Sequence, residues 1–140
     1  MMTQTSICQN PGNCKVLLIE DDNLLSIVLS MQLESAGFNF CTAANGHQAL
    51  SLLRSHRPRV LVLDISLPGL TGFQLIEKLQ NDPDLTDLKE MRIIVHTSHD
   101  LSVTEQNQLS LGHTVFLTKT RATTDLAAVV AQSLQEFSPE

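Results

Sequence analysis

The chain has 140 residues, of which 42% are hydrophobic and 17% charged, and its formal net charge is −6. This length suits one globular domain with a proper core, and the composition excludes a disordered chain. The nine lysines and arginines are scattered, so we expect no direct nucleic-acid binding, and no apolar run approaches the roughly 20 residues of a membrane span.

The first residues read differently from the rest of the chain. Residues 1–13 lack the charged start and apolar stretch of a secretion signal, which predicts a flexible N-terminal leader of a cytoplasmic protein. Cys8, Cys14 and Cys41 are odd in number, which favours reduced thiols over a disulfide framework. The folded domain is predicted to span residues 14–140.

Short apolar segments alternate with helix-period segments along that domain. The predicted strands are Val16–Ile19, Phe38–Ala43, Val60–Leu63, Ile93–Val95 and Thr114–Leu117. The predicted helices are Leu24–Ser35, Gly46–Ser55, Phe73–Asn81, Ser102–Leu111 and Thr124–Glu136. Short, solidly apolar strands are typical of parallel sheets that are buried on both faces. The alternation predicts an α/β fold, a doubly wound five-stranded parallel sheet of the flavodoxin-like (βα)5 class with strand order 2-1-3-4-5.

Polar residues interrupt the apolar pattern where the predicted strands end. Glu20 and Asp21 follow the first strand, Asp64 the third, Thr97 the fourth and Lys119 the fifth. Ligand sites of open parallel sheets lie at the carboxyl ends of the strands, so we expect these side chains to meet at one edge.

The residue types at this edge narrow the chemistry. Two carboxylates about 4 Å apart repel by about 4 kcal/mol at an effective dielectric of about 20, and a hard divalent cation such as Mg²⁺ relieves that repulsion. An aspartate beside the cation can act as a nucleophile toward phosphorus, while a lysine neutralises the phosphate and a hydroxyl donates a hydrogen bond to it.

The segments KVLLIEDD, VLVLDISLPGLTGFQL, IIVHTS and FLTK resemble the receiver domain of bacterial response regulators, over about residues 15–137. The resemblance implies that Asp64 is the phosphorylated aspartate of a two-component phosphorelay. It also implies a Mg²⁺ site in which Asp64 and Asp21 are direct ligands, Ser66 contributes its backbone carbonyl, and Glu20 acts through water.

The same resemblance assigns switch residues. Thr97 matches the switch hydroxyl, Lys119 the lysine that pairs with the phosphoryl group, and Phe116 the aromatic switch position, although Phe116 also reads as an edge-strand core residue. Thr120 departs from the family pattern, which usually has a proline here after a cis peptide bond. His96 takes a place that is normally apolar in the family.

The resemblance further implies a signalling domain rather than an enzyme. The phosphoryl donor is expected to be a sensor histidine kinase or a histidine phosphotransfer protein. The downstream partner is expected to bind the face formed by Ser102–Leu111, Thr114–Leu117 and the last helix, with no membrane contact and with homodimer formation left open.

Other functions stay open on the sequence alone. A phosphohydrolase that uses an aspartyl phosphate normally needs a second acid two residues after the nucleophile, where this chain has Ser66. A flavin- or nucleotide-binding module needs a phosphate loop after the first strand, where Glu20 and Asp21 would instead repel phosphate. A receiver-like scaffold that never accepts phosphate is the third alternative, because Thr120 replaces the proline that usually follows the lysine in the family.

Overall fold

The computed structural model describes residues 15–65, 67, 69–97, 101–109 and 113–137. Its strands are β1 (Val16–Ile19), β2 (Phe40–Ala43), β3 (Val60–Asp64), β4 (Arg92–Thr97) and β5 (His113–Thr118). Its α-helices are α1 (Asn23–Ser35), α2 (Gly46–His56), α3 (Gly72–Asn81), α4 (Val103–Leu109) and α5 (Lys119–Phe137). A 3₁₀ helix at Pro83–Glu90 occupies the charged connection between α3 and β4.

The strands form one parallel sheet in the order β2-β1-β3-β4-β5, which confirms the predicted fold class. The register is even across the centre of the sheet, where Ile19 lies opposite Leu63 and Asp64 lies opposite His96. Because parallel strands in even register end at the same level, the residues that follow β1, β3 and β4 meet at one edge.

Helices cover both faces of the sheet. One apolar cluster contains buried residues of α2, α3 and α4, and the second contains Leu29 and Leu33 of α1 with Leu126 and Val130 of α5. Strand residues alternate between the two clusters, as the two-residue period of a strand requires. Within the described part of the chain, no helix combines the length and apolar character needed to cross a bilayer.

Helix α1 begins at Asn23, one residue before the predicted start at Leu24, because the side chain of Asp22 accepts the backbone N–H of Leu25 at 3.1 Å and caps the helix. Helix α5 departs from prediction. It begins at Lys119 rather than at Thr124 and follows β5 directly. No peptide bond of the described residues is cis, so Thr120 continues the helix instead of forming the loop that a proline would impose.

The cysteines also depart from prediction. Cys41 is wholly buried in β2 and is disulfide-bonded, so the prediction of reduced thiols is wrong for this residue. An odd number of cysteines excludes complete pairing but does not exclude a single bridge. The predicted leader (residues 1–13), which contains Cys8, lies outside the described residues, and so does Cys14.

Candidate functional site at the carboxyl ends of the strands

Asp64 is at the centre of the polar edge. It is the last residue of β3 and is almost wholly buried, which is unusual for a carboxylate without a partner. Its partner is Lys119, the first residue of α5, whose Nζ donates a hydrogen bond to Asp64 Oδ2 at 3.1 Å. The end of β5 therefore delivers an amine to the carboxylate at the end of β3.

Two further carboxylates complete an acidic cluster. Glu20 and Asp21 directly follow β1. One carboxylate oxygen from each of them and one from Asp64 lie within 4.8 Å of one another. Glu20 and Asp64 are buried, whereas Asp21 faces solvent. Oxygen donors at this spacing can contact one hard divalent cation, and an exposed member leaves room for the waters that such an ion retains.

The carboxyl group of Glu20 is held at one of its two oxygens. Its Oε2 accepts the backbone N–H of Asp22 at 3.0 Å and lies 3.8 Å from Lys119 Nζ. Burial raises the pKa of Glu20 to about 8; the Asp22 hydrogen bond opposes this, and the charge of Asp64 adds to it. Without a cation, Glu20 is therefore largely protonated at neutral pH.

The pKa of Lys119 depends on burial and on the same negative charges. Partial burial by itself would lower the pKa of its ammonium group. The hydrogen bond and charge of Asp64, with the charges of Glu20 and Asp21, outweigh burial and raise the pKa of Lys119. The ammonium group of Lys119 is therefore stabilised in its charged form as long as at least one neighbouring carboxylate is ionised.

His96, which the sequence analysis noted only as a residue at a normally apolar position, is a further member of the site. It lies in β4 opposite Asp64 and is wholly buried, with Nε2 at 3.5 Å from Glu20 Oε1. Burial lowers the pKa of His96 to about 4, so the imidazole is neutral at pH 7. One signal was present, a histidine that interrupts the apolar run of a central strand next to the polar edge.

Gln32 is the second residue that the sequence did not single out. From α1 its Nε2 donates to the carbonyl of Ala122 at 2.8 Å, and its Oε1 accepts the N–H of Ala127 at 3.1 Å. Both backbone groups belong to α5, and Ala122 lies in the turn that begins with Lys119. One side chain therefore fixes α1 to the part of α5 that carries the site lysine.

The remaining predicted residues are placed as follows. Thr97 is the buried last residue of β4, one position past His96 at the same edge. Phe116 is half-buried in β5 and packs against the core cluster on the α3 and α4 face. Ser66, predicted to offer a backbone carbonyl, lies outside the described residues. The structure thus brings together Glu20, Asp21, Asp64 and Lys119, with Thr97 beside them.

Comparison with known proteins agrees with this geometry. Residues 16–131 match the family model of the response regulator receiver domain. The phosphate regulon transcriptional regulatory protein PhoB of Rhizobium meliloti is 30% identical over 126 residues, which cover 90% of this chain and 54% of that protein. The chain therefore spans about half the length of that relative.

Solved structures show the same fold. The Francisella response regulator 1452 receiver domain is similar with a TM-score of 0.76 at 24% identity, covering 92% of this chain and 100% of that one. The receiver domain of the sensor histidine kinase PA1611 from Pseudomonas aeruginosa PAO1 gives a TM-score of 0.73 at 23% identity, covering 88% and 98%. That structure carries a magnesium ion coordinated in its active-site cleft.

Proposed function

This chain belongs to the response regulator receiver domain family, and we propose that Asp64 accepts a phosphoryl group beside a Mg²⁺ ion. The observation that carries the proposal is the contact of Lys119 Nζ with Asp64 Oδ2 at 3.1 Å, next to the carboxylates of Glu20 and Asp21. Nucleophile, cation ligands and a charge-neutralising amine come from three separate strand ends and reach one point.

The transfer step follows from this arrangement. An Oδ oxygen of Asp64 attacks phosphorus of a phosphohistidine, the P–N bond breaks, and an acyl phosphate forms while the electron pair leaves with the imidazole of the donor. Lys119 exchanges its carboxylate partner for a phosphoryl oxygen, and Thr97 donates its hydroxyl hydrogen to another. Phosphoryl transfer requires mainly positioning and neutralisation of charge, which these residues supply.

The cation site fits the oxygen donors present. Asp21 and Asp64 would hold Mg²⁺ directly and Glu20 would act through water, with Ser66 contributing its carbonyl. The ion would neutralise the negative charge that builds up between phosphoryl oxygens and carboxylates. The magnesium ion in the PA1611 receiver domain supports this assignment.

Signalling follows from what phosphorylation would change. The acyl phosphate draws Lys119 and Thr97 toward it and so shifts the equilibrium between two arrangements of β4, β5 and the helices after them, with Phe116 responding on β5. The side chains of Val103 on α4 and Val115 on β5 are exposed, at 74% and 43% of their surface, and offer the face α4-β5-α5 to a downstream protein. In this proposal the domain is a stoichiometric acceptor rather than an enzyme.

We infer that the phosphoryl donor is a sensor histidine kinase or a histidine phosphotransfer protein and that the domain acts in the cytoplasm. An exposed apolar stripe on α1, formed by Leu24, Ile27 and Met31, begins next to the acidic cluster. These side chains recur at the spacing of one helix face, which suits contact with a helix of the donor.

The test is phosphorylation by acetyl phosphate in the presence of Mg²⁺, followed by intact-mass measurement. We expect the wild type to gain one phosphoryl group and Asp64→Asn to gain none. Asp87→Asn is the matched control, because Asp87 lies in the 3₁₀ helix and pairs with Arg57 on the surface. Equal adducts on the wild type and Asp64→Asn would remove Asp64 from its role. No adduct on either protein would favour a scaffold.

A further inference from the structure

His96 and Glu20 form a buried polar contact that the transfer step does not use. Neither side chain is accessible to solvent, and His96 Nε2 lies 3.5 Å from Glu20 Oε1. Among the described residues, neither ring nitrogen of His96 and no group at Glu20 Oε1 completes a hydrogen bond. Buried polar groups without partners are costly, so a histidine at this position requires a reason.

The polar groups around His96 are Glu20, whose Oε1 lies 3.5 Å from Nε2, the backbone of Ile19, and the charges of Asp64 and Lys119. The Cα of His96 lies opposite the Cα of Asp64 in the adjacent strand. The ammonium group of Lys119 lies near Asp64 Oδ2 and Glu20 Oε2, not near Glu20 Oε1. Glu20 Oε2 already accepts the Asp22 N–H, whereas Oε1 points toward the imidazole. A donor at His96 Nε2 would fix the second oxygen and with it the plane of the carboxylate.

We propose that His96 is a positioning residue for the cation site, with its neutral imidazole donating Nε2–H to Oε1 of the ionised Glu20 when a divalent cation is bound. This inference rests on the proposed function. The contact then closes from 3.5 Å to hydrogen-bond distance and gives His96 Nε2 and Glu20 Oε1 a partner each. The partners of a metal site's carboxylates are worth about 10- to 100-fold in metal affinity.

His96 is wholly buried, and burial favours the neutral form of an imidazole. A neutral imidazole carries one N–H, so the proposal fixes the tautomer: the hydrogen lies on Nε2 in the cation-bound protein. Magnesium prefers oxygen ligands, so His96 acts through Glu20 and not as a ligand.

The test compares Mg²⁺ affinity, measured by titration calorimetry, with stability in three proteins. His96→Leu removes the donor at similar volume, whereas His96→Gln keeps an amide N–H near the place of Nε2. We expect His96→Leu to bind Mg²⁺ about 10- to 100-fold more weakly than the wild type, while His96→Gln stays within a few-fold. The metal-free His96→Leu protein should be as stable as the wild type or more stable, because a buried unpaired polar group is gone.

This opposite movement of affinity and stability separates positioning from a merely structural role. The control is His47→Leu, at an exposed residue of α2, which should leave Mg²⁺ affinity unchanged. Nitrogen-15 NMR of the Mg²⁺-saturated wild type should show the Nε2–H tautomer of His96. The Nδ1–H tautomer, or wild-type affinity in His96→Leu, would overturn the proposal.

Acetyl phosphate labelling distinguishes failure of this inference from failure of the proposed function. If the wild type binds Mg²⁺ and accepts phosphate while His96→Leu does both equally well, only the role of His96 is lost. If the wild type neither binds Mg²⁺ nor accepts phosphate, both proposals fall together.

Discussion

The ammonium group of Lys119 lies 3.1 Å from the carboxylate of Asp64, although 55 positions separate the two residues in the sequence. The pair is partly shielded, since Asp64 is almost wholly buried and about a quarter of the Lys119 side chain (28%) is exposed. It already occupies the geometry in which the amine could transfer its hydrogen bond to a phosphoryl oxygen. The consequences of this pair can be measured before any phosphate is bound.

Replacing Lys119 by methionine should destabilise the metal-free protein by about 1.5–3 kcal/mol, because the Asp64 carboxylate loses a charged hydrogen-bond partner. Mg²⁺ should bind the variant more tightly than the wild type, since the cation then meets no competing ammonium group. Urea unfolding with and without Mg²⁺ measures both effects. Lys78→Met, at an exposed position of α3, is the control, and equal stability of Lys119→Met and wild type would contradict the pairing.

The stability of the metal-free protein should depend on pH through Glu20. The pKa of this residue is raised from 4.5 to about 8 in the folded state, so its contribution to stability is full below about pH 4.5 and is lost as pH rises to about 8. His96 acts in the opposite direction at lower pH. Its pKa is lowered from 6.5 to about 4, so its contribution is present above about pH 6.5 and is lost as pH falls toward 4.

The window between about pH 6.5 and 8 therefore isolates Glu20. In that window the unfolding free energy of the wild type should fall with pH relative to Glu20→Gln, which cannot ionise. Mg²⁺ affinity should rise with pH over the same range, because binding displaces the Glu20 proton. Thermal unfolding across this range, with and without Mg²⁺, measures the difference. Parallel pH profiles of the two metal-free proteins would show that Glu20 titrates normally.

Gly72→Ala should disturb the site through packing. A Cβ at Gly72 would lie 2.7 Å from the Cα of Ile65, the residue that follows Asp64. The main chain must then shift, at a cost of about 1–3 kcal/mol, and phosphorylation of Asp64 should slow. Gly69→Ala is the comparison. A Cβ there would meet nothing within 4 Å, and the strain would come only from an alanine held at a φ of +73°. Denaturant unfolding and the rate of labelling by acetyl phosphate provide the readouts, and equal labelling rates in both variants would count against this coupling.

Gln32→Met should loosen the beginning of α5. The variant keeps the volume of the side chain but loses its hydrogen bonds to Ala122 and Ala127, for a cost of about 1–3 kcal/mol. Amide exchange of Ala127 should speed up more than that of the buried residues of β3. Ser35→Ala, at an exposed position of the same helix, should change neither property. Unchanged exchange at Ala127 would mean that the side chain does not hold α5.

Most of the fold could be predicted from the sequence, because the apolar pattern of the central strands allows no other assignment. Val60–Asp64 is apolar until its last residue, which identifies it as a buried parallel strand. The carboxylate at its carboxyl end must then lie at the edge of the sheet where ligands bind. The acidic pair and Lys119 could be assigned to that edge for the same reason. Their meeting at hydrogen-bond distance needed the register, which the apolar pattern does not determine.

The beginning of α5 could not be predicted. Residues 119–124 read Lys-Thr-Arg-Ala-Thr-Thr, and β-branched threonines have poor helix propensity, so the pattern favoured a later start. A tertiary contact outweighs this preference, since Gln32 binds the carbonyl of Ala122 from a helix 90 positions earlier. The contact of His96 with Glu20 escaped prediction similarly, because it joins side chains from non-adjacent strands.

The direct junction of β5 and α5 has a mechanical consequence. Thr118 ends the strand and Lys119 begins the helix, with no intervening residue to absorb a displacement. Any movement that displaces the backbone of Lys119 would therefore tilt or rotate the 19-residue helix α5, or break its first turn away from Gln32. In a domain with a flexible linker at this point, the backbone of the lysine could move without displacing the helix. Here such a movement would also displace the far end of α5.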